Sequence, residues 1–281
     1  MAALGRLPDP AEVAALEAVA AGFFGCDPSR VVAVGGAEAG LRLLPSVLDA
    51  RVAIAAPTYG SHADAWRLAG AQVVEVERAA LFRQPTDAFV VVNPNNPDGA
   101  LTTGAELVAG AAGRWLVIDE SFIETAPEMS AVSAAGDRTI ILRSFGKFHG
   151  LAGVRLGFVV ASPELAARLR RRIGDWPVGA DAIAMGMAAY ADLSWAERTR
   201  RRLARDAARL DEMMVEVGFE IVGGTSLFRL TRSGDAKRRA EGLAERGVLV
   251  RTFAHDPGLI RFGLPGRKEW PRLRAALERL R

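Results

Sequence analysis

The sequence predicts an α/β fold: a mostly parallel sheet with helices on both sides, followed by a smaller α+β domain. Three observations predict it. Several short runs are continuous in Val, Ile and Leu, as strands buried on both faces are. Helical segments separate many of these runs, the alternation of a parallel sheet. After about residue 190 the pattern changes to a long Arg-rich helix and then mixed short strands and helices. The domains are therefore expected at 26–190 and 191–281, with a helix over 9–25 that can pack on the smaller one.

The elements follow in order. Asp9-Pro10 opens an amphipathic helix, with Asp as N-cap and Pro at the first helical position, and Gly25 is a suitable stop. Strands are expected at Val31–Val34, Val52–Ala55, Gln72–Val76, Phe89–Val92, Trp115–Ile118, Thr139–Leu142 and Phe158–Ala161. Helices are expected near 37–48, 60–69, 103–112 and 163–172. In the second domain a helix near 194–217 precedes strands near 219–222 and 226–231. A helix near 235–246, strands near 248–251 and 259–263, and a last helix near 268–280 complete it. No internal repeat or low-complexity linker interrupts the pattern.

Composition narrows the function classes. The chain has 281 residues, half of them hydrophobic and a quarter charged, with net charge +3. Arg168 to Arg172 and Arg198 to Arg209 are interleaved with Leu and Ala and read as solvated helix faces, so no nucleic-acid partner is expected. The single Cys26 excludes an intrachain disulfide and a Cys-rich metal site. No run has membrane-spanning length and the first twenty residues lack a signal-peptide core, so a cytoplasmic protein without a membrane partner is expected.

In open α/β sheets, ligands bind beyond the carboxyl ends of strands. Candidate groups fall at such ends. Gly35-Gly36 precedes Ala37 and Glu38, whose backbone amides could face an anion at a helix start; a plain strand-to-helix turn uses the same residues. Asn93-Pro94-Asn95-Asn96-Pro97-Asp98-Gly99 closes the run Phe89–Val92, as a proline-rich turn or as a mount for an Asn side chain. Asp119 ends the run Trp115–Ile118, where a carboxylate needs a partner unless it caps a helix or reaches solvent. Lys147 follows Thr139–Leu142 amid small residues, with Ser144 before it and Arg155 after it. That company suits a lysine forming a Schiff base in a dry pocket, with a planar Arg fork for a phosphate. Arg155 alone could equally serve a structural salt bridge.

The order of these groups resembles the fold-type I pyridoxal-phosphate enzymes, specifically the class I/II aminotransferase group. Asn96-Pro97-Asp98-Gly99 is similar to its Asn-Pro-Thr-Gly motif, with Asp for Thr. Asp119 matches the aspartate at the pyridine nitrogen. Ser144-x-x-Lys147-x-x-Gly-Leu-Ala-Gly-x-Arg155 matches the cofactor-lysine motif. The resemblance implies the fold, a pyridoxal 5′-phosphate cofactor and a set of roles. Lys147 would hold the cofactor covalently and then carry a proton. Asp119 would keep the ring nitrogen protonated, and Asn96 would bind the ring 3-oxygen. Ala37, Glu38, Ser144 and Arg155 would hold the phosphate, and Tyr59 would stack on the ring. His62 would orient Asp119, unless it is an exposed helix residue. The family also implies a homodimer.

Leu259-Ile260-Arg261-Phe262-Gly263-Leu264-Pro265 matches the motif whose arginine clamps a substrate carboxylate. Arg251, ten residues earlier, falls where phosphorylated-amino-acid enzymes bind substrate phosphate, or is a surface residue. Two families compete. Histidinol-phosphate aminotransferases usually have Asp-Glu-Ala-Tyr after the buried strand, whereas this chain has Asp119-Glu120-Ser121-Phe122. Phe122 lacks the hydroxyl that would reach the ring 3-oxygen. That departure resembles the L-threonine-O-3-phosphate decarboxylases of cobalamin biosynthesis, as do Ser144-Phe145-Gly146-Lys147-Phe148 and Pro57-Thr58-Tyr59-Gly60-Ser61-His62. Decarboxylation of threonine phosphate is the expected reaction and transamination the alternative.

Only five residues precede Arg6. The family normally has a segment there that runs over the site and touches substrate, so a lid is expected to be missing. Loss of a lid admits water and removes positioning contacts. A third reading is therefore a cofactor-binding protein with little turnover.

Overall fold

The structure is a computed structural model and describes residues 5–280. Met1–Leu4, the start of the segment discussed above, lie outside the described residues. The chain divides into two compact units: one holds the residues up to Asn95 together with Leu101–Ser194, the other Asn96–Ala100 with the residues from Trp195 onward.

In the first unit the order is α1 (Pro10–Phe24), β1 (Val31–Val34), α2 (Ala37–Leu43), β2 (Val52–Ala56), α3 (Ser61–Leu68), β3 (Val73–Glu77), β4 (Ala88–Val92), α4 (Gly104–Ala111), β5 (Trp115–Asp119), β6 (Thr139–Ser144), α5 (Phe145–Phe148), β7 (Gly157–Val160), α6 (Pro163–Ile173) and α7 (Ala180–Ala191). The seven strands form one sheet in the order β1-β7-β6-β5-β4-β2-β3. Strands β3, β2, β4, β5 and β6 are parallel, whereas β7 runs antiparallel to both β6 and β1. Residues of β1, β2, β4 and β6 alternate between two hydrophobic cores. One core holds Ala33, Phe89 and Ile141, the other Val34, Val90 and Leu142. Burial on both faces explains why these strands read as unbroken apolar runs.

Helix α1 starts as its sequence suggests. Asp9 accepts from Ala11 N at 2.8 Å, and Glu12 closes a capping box. It does not join the smaller domain as expected. It packs on β1 and α7 within the first unit, because its apolar side (Leu16, Ala20, Phe24) completes the core around Phe158 and Tyr190. Helix α7 has no counterpart in the sequence reading. Its Ala, Met and Gly residues give no clear apolar stripe, and its helicity is used for close packing: a Cβ at Gly186 would lie 2.6 Å from Leu16 Cδ1.

The long α8 (Leu193–Glu216) leads into the second unit's β8 (Glu220–Thr225), β9 (Phe228–Arg232), α9 (Ala236–Glu245), β10 (Arg251–Thr252), β11 (Leu259–Gly263) and α10 (Trp270–Glu278). Its four strands form an antiparallel sheet in the order β10-β11-β9-β8. Apolar residues of α8, α9, α10 and β11 share one core with Phe219. The strand expected over 248–251 shrinks to two residues. Val248 N bonds back to Leu243 O at 2.9 Å, which spends this stretch on closing α9 and leaves Leu249 87% exposed.

Candidate active site

Parallel strands deliver their carboxyl ends to one edge of the sheet. Register places Val92 of β4 and Leu142 of β6 beside Asp119 at the end of β5. Asp119 is 5% exposed and points to the side of α3. His62 Nε2 lies 3.0 Å from Asp119 Oδ2, and His62 is itself buried. On the other oxygen, Oδ1 accepts from Ser121 N at 2.9 Å and Ser121 Oγ at 2.5 Å. Burial pushes the Asp119 carboxyl pKa up, but His62 and the two Ser121 bonds outweigh it and hold the group below the usual aspartate value. An ionised carboxylate has about four acceptor positions. Three are filled here, so one is left for a further N–H.

A second cluster is built where β1, β7 and β6 meet. Val34 and Ser144 both face Gly157 across their ladders. A Cβ on Gly157 would lie 2.4 Å from Ala37 N, so the bare glycine lets the turn before α2 close over the start of β7. Gly36 has φ 94°, and a Cβ there would meet the Arg155 guanidinium at 2.7 Å. No side chain caps α2 at Gly36, so the Ala37 and Glu38 amides stand at a helix start whose first N–H groups have no intrahelical acceptor. Arg155 takes a left-handed backbone (φ 55°) and donates to Ala152 O at 3.1 Å. The Arg155 guanidinium thus lies against the start of α2, in a corner that a side chain at 36 would fill, and Ser144 ends the strand alongside.

Lys147 sits on the single turn α5 directly after β6, with Nζ 6.0 Å from the centre of the Phe122 ring. Lys147, Arg155 and Tyr59 are all exposed in the single chain. The Tyr59 ring stands edge-on to His62, centroids 6.3 Å apart.

The Asn-rich loop divides its labour. Asn93 is fully buried and anchors the loop, accepting from Arg78 and Thr102 N and donating to Thr102 O. Asn95 donates to Pro57 O at 3.1 Å and accepts from Thr58 at 2.7 Å. In the second unit, Asn96 Oδ1 accepts from Arg261. Its loop is tied to β8 through Gly224 N and Asp98 O at 2.7 Å.

Arg251 and Arg261 stand directly opposite each other on β10 and β11. Like charges facing across a ladder are unfavourable unless an anion joins them. Burial first, and the Arg251 charge second, lower the Arg261 pKa from the usual arginine value. The Phe228 ring lies under the Arg261 guanidinium at 5.2 Å.

Two features were not anticipated from sequence. One is the Ser121 hydroxyl; its position two after Asp119 is the available signal, since Asp commonly accepts from the backbone two residues on. The other is a buried ionic knot on the α1 side of the sheet. Arg143 Nη1 lies 3.0 Å from Glu120 and Nη2 2.5 Å from Glu124, all with side chains at most 3% exposed. Among the described residues no His, Cys, Asp and Glu group could hold a metal ion, and no helix is long and apolar enough to cross a membrane.

Residues 2–280 match the family model for aminotransferase class I and II, and the chain belongs to that family. Within it, the chain is 37% identical over 97% of its length to the threonine-phosphate decarboxylase of Pseudomonas aeruginosa, covering 84% of that protein. It is 35% identical to the threonine-phosphate decarboxylase of a Sinorhizobium species, over 92% of this chain and 80% of that one. A histidinol-phosphate aminotransferase of a Geobacter species is 29% identical over 99% of this chain and 84% of its own. Among solved structures, the histidinol-phosphate aminotransferase of Sinorhizobium meliloti in complex with pyridoxal-5′-phosphate superposes with TM-score 0.88 at 22% identity, over 99% of this chain and 83% of that one. That likeness establishes the fold, a fold-type I architecture with a mostly parallel sheet.

Proposed function

We propose that this chain is a pyridoxal 5′-phosphate-dependent decarboxylase of L-threonine O-3-phosphate, yielding CO2 and 1-amino-2-propanol phosphate for the corrin side chain of cobalamin. The observation that carries the choice of reaction is the 37% identity, over nearly the whole chain, to a threonine-phosphate decarboxylase. The cofactor rests on the residues themselves. Asp119 keeps one acceptor position for a protonated ring nitrogen. The corner at Gly36, with Ala37, Glu38, Ser144 and Arg155 around it, has the donors a phosphate needs.

When bound, pyridoxal phosphate supplies a protonated ring that accepts the electron pair released at the substrate α-carbon. Lys147 is the proposed covalent tether. Lys147 Nζ would also supply the proton that takes the place of CO2 on the substrate α-carbon. Asp119, oriented by His62, holds the proton on the ring nitrogen. The Asn96 amide group is free to donate to the ring 3-oxygen while its carbonyl oxygen accepts from Arg261. Tyr59 and Phe122 are the proposed aromatic contacts. Arg251 and Arg261 are the proposed binders of the substrate phosphate and carboxylate, and their juxtaposition favours a substrate with two anionic ends. Covering Tyr59, Lys147 and Arg155 is the part we assign to a second copy in a homodimer.

Incubation with threonine phosphate should release CO2 and form the amino-alcohol phosphate, and Lys147→Ala should abolish both. Transfer of an amino group from histidinol phosphate, without CO2 release from threonine phosphate, would select the aminotransferase reading supported by the 29% identical relative. Cofactor binding with neither reaction would select a binding protein with little turnover.

A further inference from the structure

We infer that Ser121 is a positioning residue for the reaction: its hydroxyl, acting through Asp119, holds the carboxylate charged and aimed at the cofactor's ring nitrogen. This inference rests on the pyridoxal phosphate reading above and adds a residue to it.

Two bonds join Ser121 to Asp119 Oδ1, and they differ in what they require. The bond from Ser121 N is the ordinary closure of a turn after aspartate, and almost any residue at 121 would make it. The bond from Ser121 Oγ, at 2.5 Å, needs a hydroxyl at this one place. Both oxygens of Asp119 are then tethered, Oδ1 by Ser121 and Oδ2 by His62. The carboxylate cannot turn about its own axis without breaking charge-assisted bonds, which are the stronger kind. Ser121 is 9% exposed, so water has little room to replace the hydroxyl if it is removed. Its neighbour Glu120 is already engaged by Arg143, Ser130 and Ala131 and is not a substitute partner. Because the group held is a charged acceptor, the benefit should appear only when the bound molecule offers an N–H to it.

That condition gives the test. Affinity of the apoprotein is measured for pyridoxal phosphate and for its analogue with carbon in place of the ring nitrogen, with native chain, Ser121→Ala and Ser121→Thr. Ser121→Ala should weaken pyridoxal phosphate by about tenfold, the scale of one hydrogen bond to a charged group, and leave the carbon analogue within about twofold. Ser121→Thr, which keeps the hydroxyl, should restore the native preference for the nitrogen-bearing ring. Equal weakening of both compounds, or none for either, overturns the role of Ser121. Failure of the native chain to bind pyridoxal phosphate through Lys147 would instead overturn the cofactor reading. A thermal melt of the apoprotein variants separates either result from a loss of folding.

Discussion

Replacing Arg143 by Met tests whether the knot beneath the site is as closed as its geometry implies. The guanidinium bonds Glu120 at 3.0 Å and Glu124 at 2.5 Å and lies over the Phe24 ring at 4.3 Å. Its charge sits in a place where burial alone would lower its pKa, yet Glu124 and Glu120 raise it. Removing one member of such a buried pair costs about 3–5 kcal/mol, because the carboxylates left behind have lost their counter-charge. For a unit of this size that corresponds to a fall in Tm of about 10 °C. The loss should depend on pH in a stated direction. Burial already raises the Glu120 pKa from its ordinary value of 4.5, against the pull of Arg143, Ala131 N and Ser130. A carboxyl with a raised folded pKa loses stability as pH climbs from the ordinary value through the folded one, and removing Arg143 steepens that loss. The Tm deficit of Arg143→Met should therefore be larger at pH 8 than at pH 5. The triple change Glu120→Gln, Glu124→Leu, Arg143→Met removes all three charges and should recover most of the deficit. Melting curves by circular dichroism decide it. A deficit under about 3 °C, or one that the triple change leaves in place, refutes an electrostatically closed knot.

Two further changes probe the binding groups. Gly36→Ala must adopt a left-handed φ and meet the Arg155 guanidinium at 2.7 Å; cofactor affinity measured by absorbance should fall at least about fivefold, since strain of this kind costs of order 1–3 kcal/mol. Arg261→Ala, at a half-buried position, should lower kcat/KM for threonine phosphate by about thirtyfold, and Arg251→Ala, at an exposed one, by less. Arg261→Ala should also weaken the hold on Asn96, so cofactor affinity should fall for that variant and stay unchanged for Arg251→Ala.

Much of this was legible in the chain, and the boundary has physical causes. The apolar strands are read within a residue or two because burial on both faces leaves an unbroken signal, as in Val31–Val34. Asp119 announces itself because a carboxylate closing such a run demands a partner. His62 as that partner came only through resemblance, since no local pattern links residue 62 to residue 119. Arg143 stayed hidden for the same reason: it lies inside β6, and Glu120 and Glu124 reach it from a different segment. Helix α7 escaped because small residues that allow close packing also erase amphipathic contrast.

The direction of β7 is what brings scattered motifs to one edge of the sheet. Had β7 been parallel, Arg155, which precedes it, would have entered the sheet at the amino ends of its neighbours, on the far side from Asp119. Because β7 runs back between β6 and β1, its first residue Gly157 meets the last residues of both, Ser144 and Val34. A residue just before an antiparallel strand thus shares an edge with residues just after parallel ones. The rule that ligands gather at carboxyl ends of strands points to the edge that carries Asp119, but it cannot by itself place Arg155. What admits Arg155 is a reversal in the sheet and two positions, 36 and 157, where any Cβ would collide.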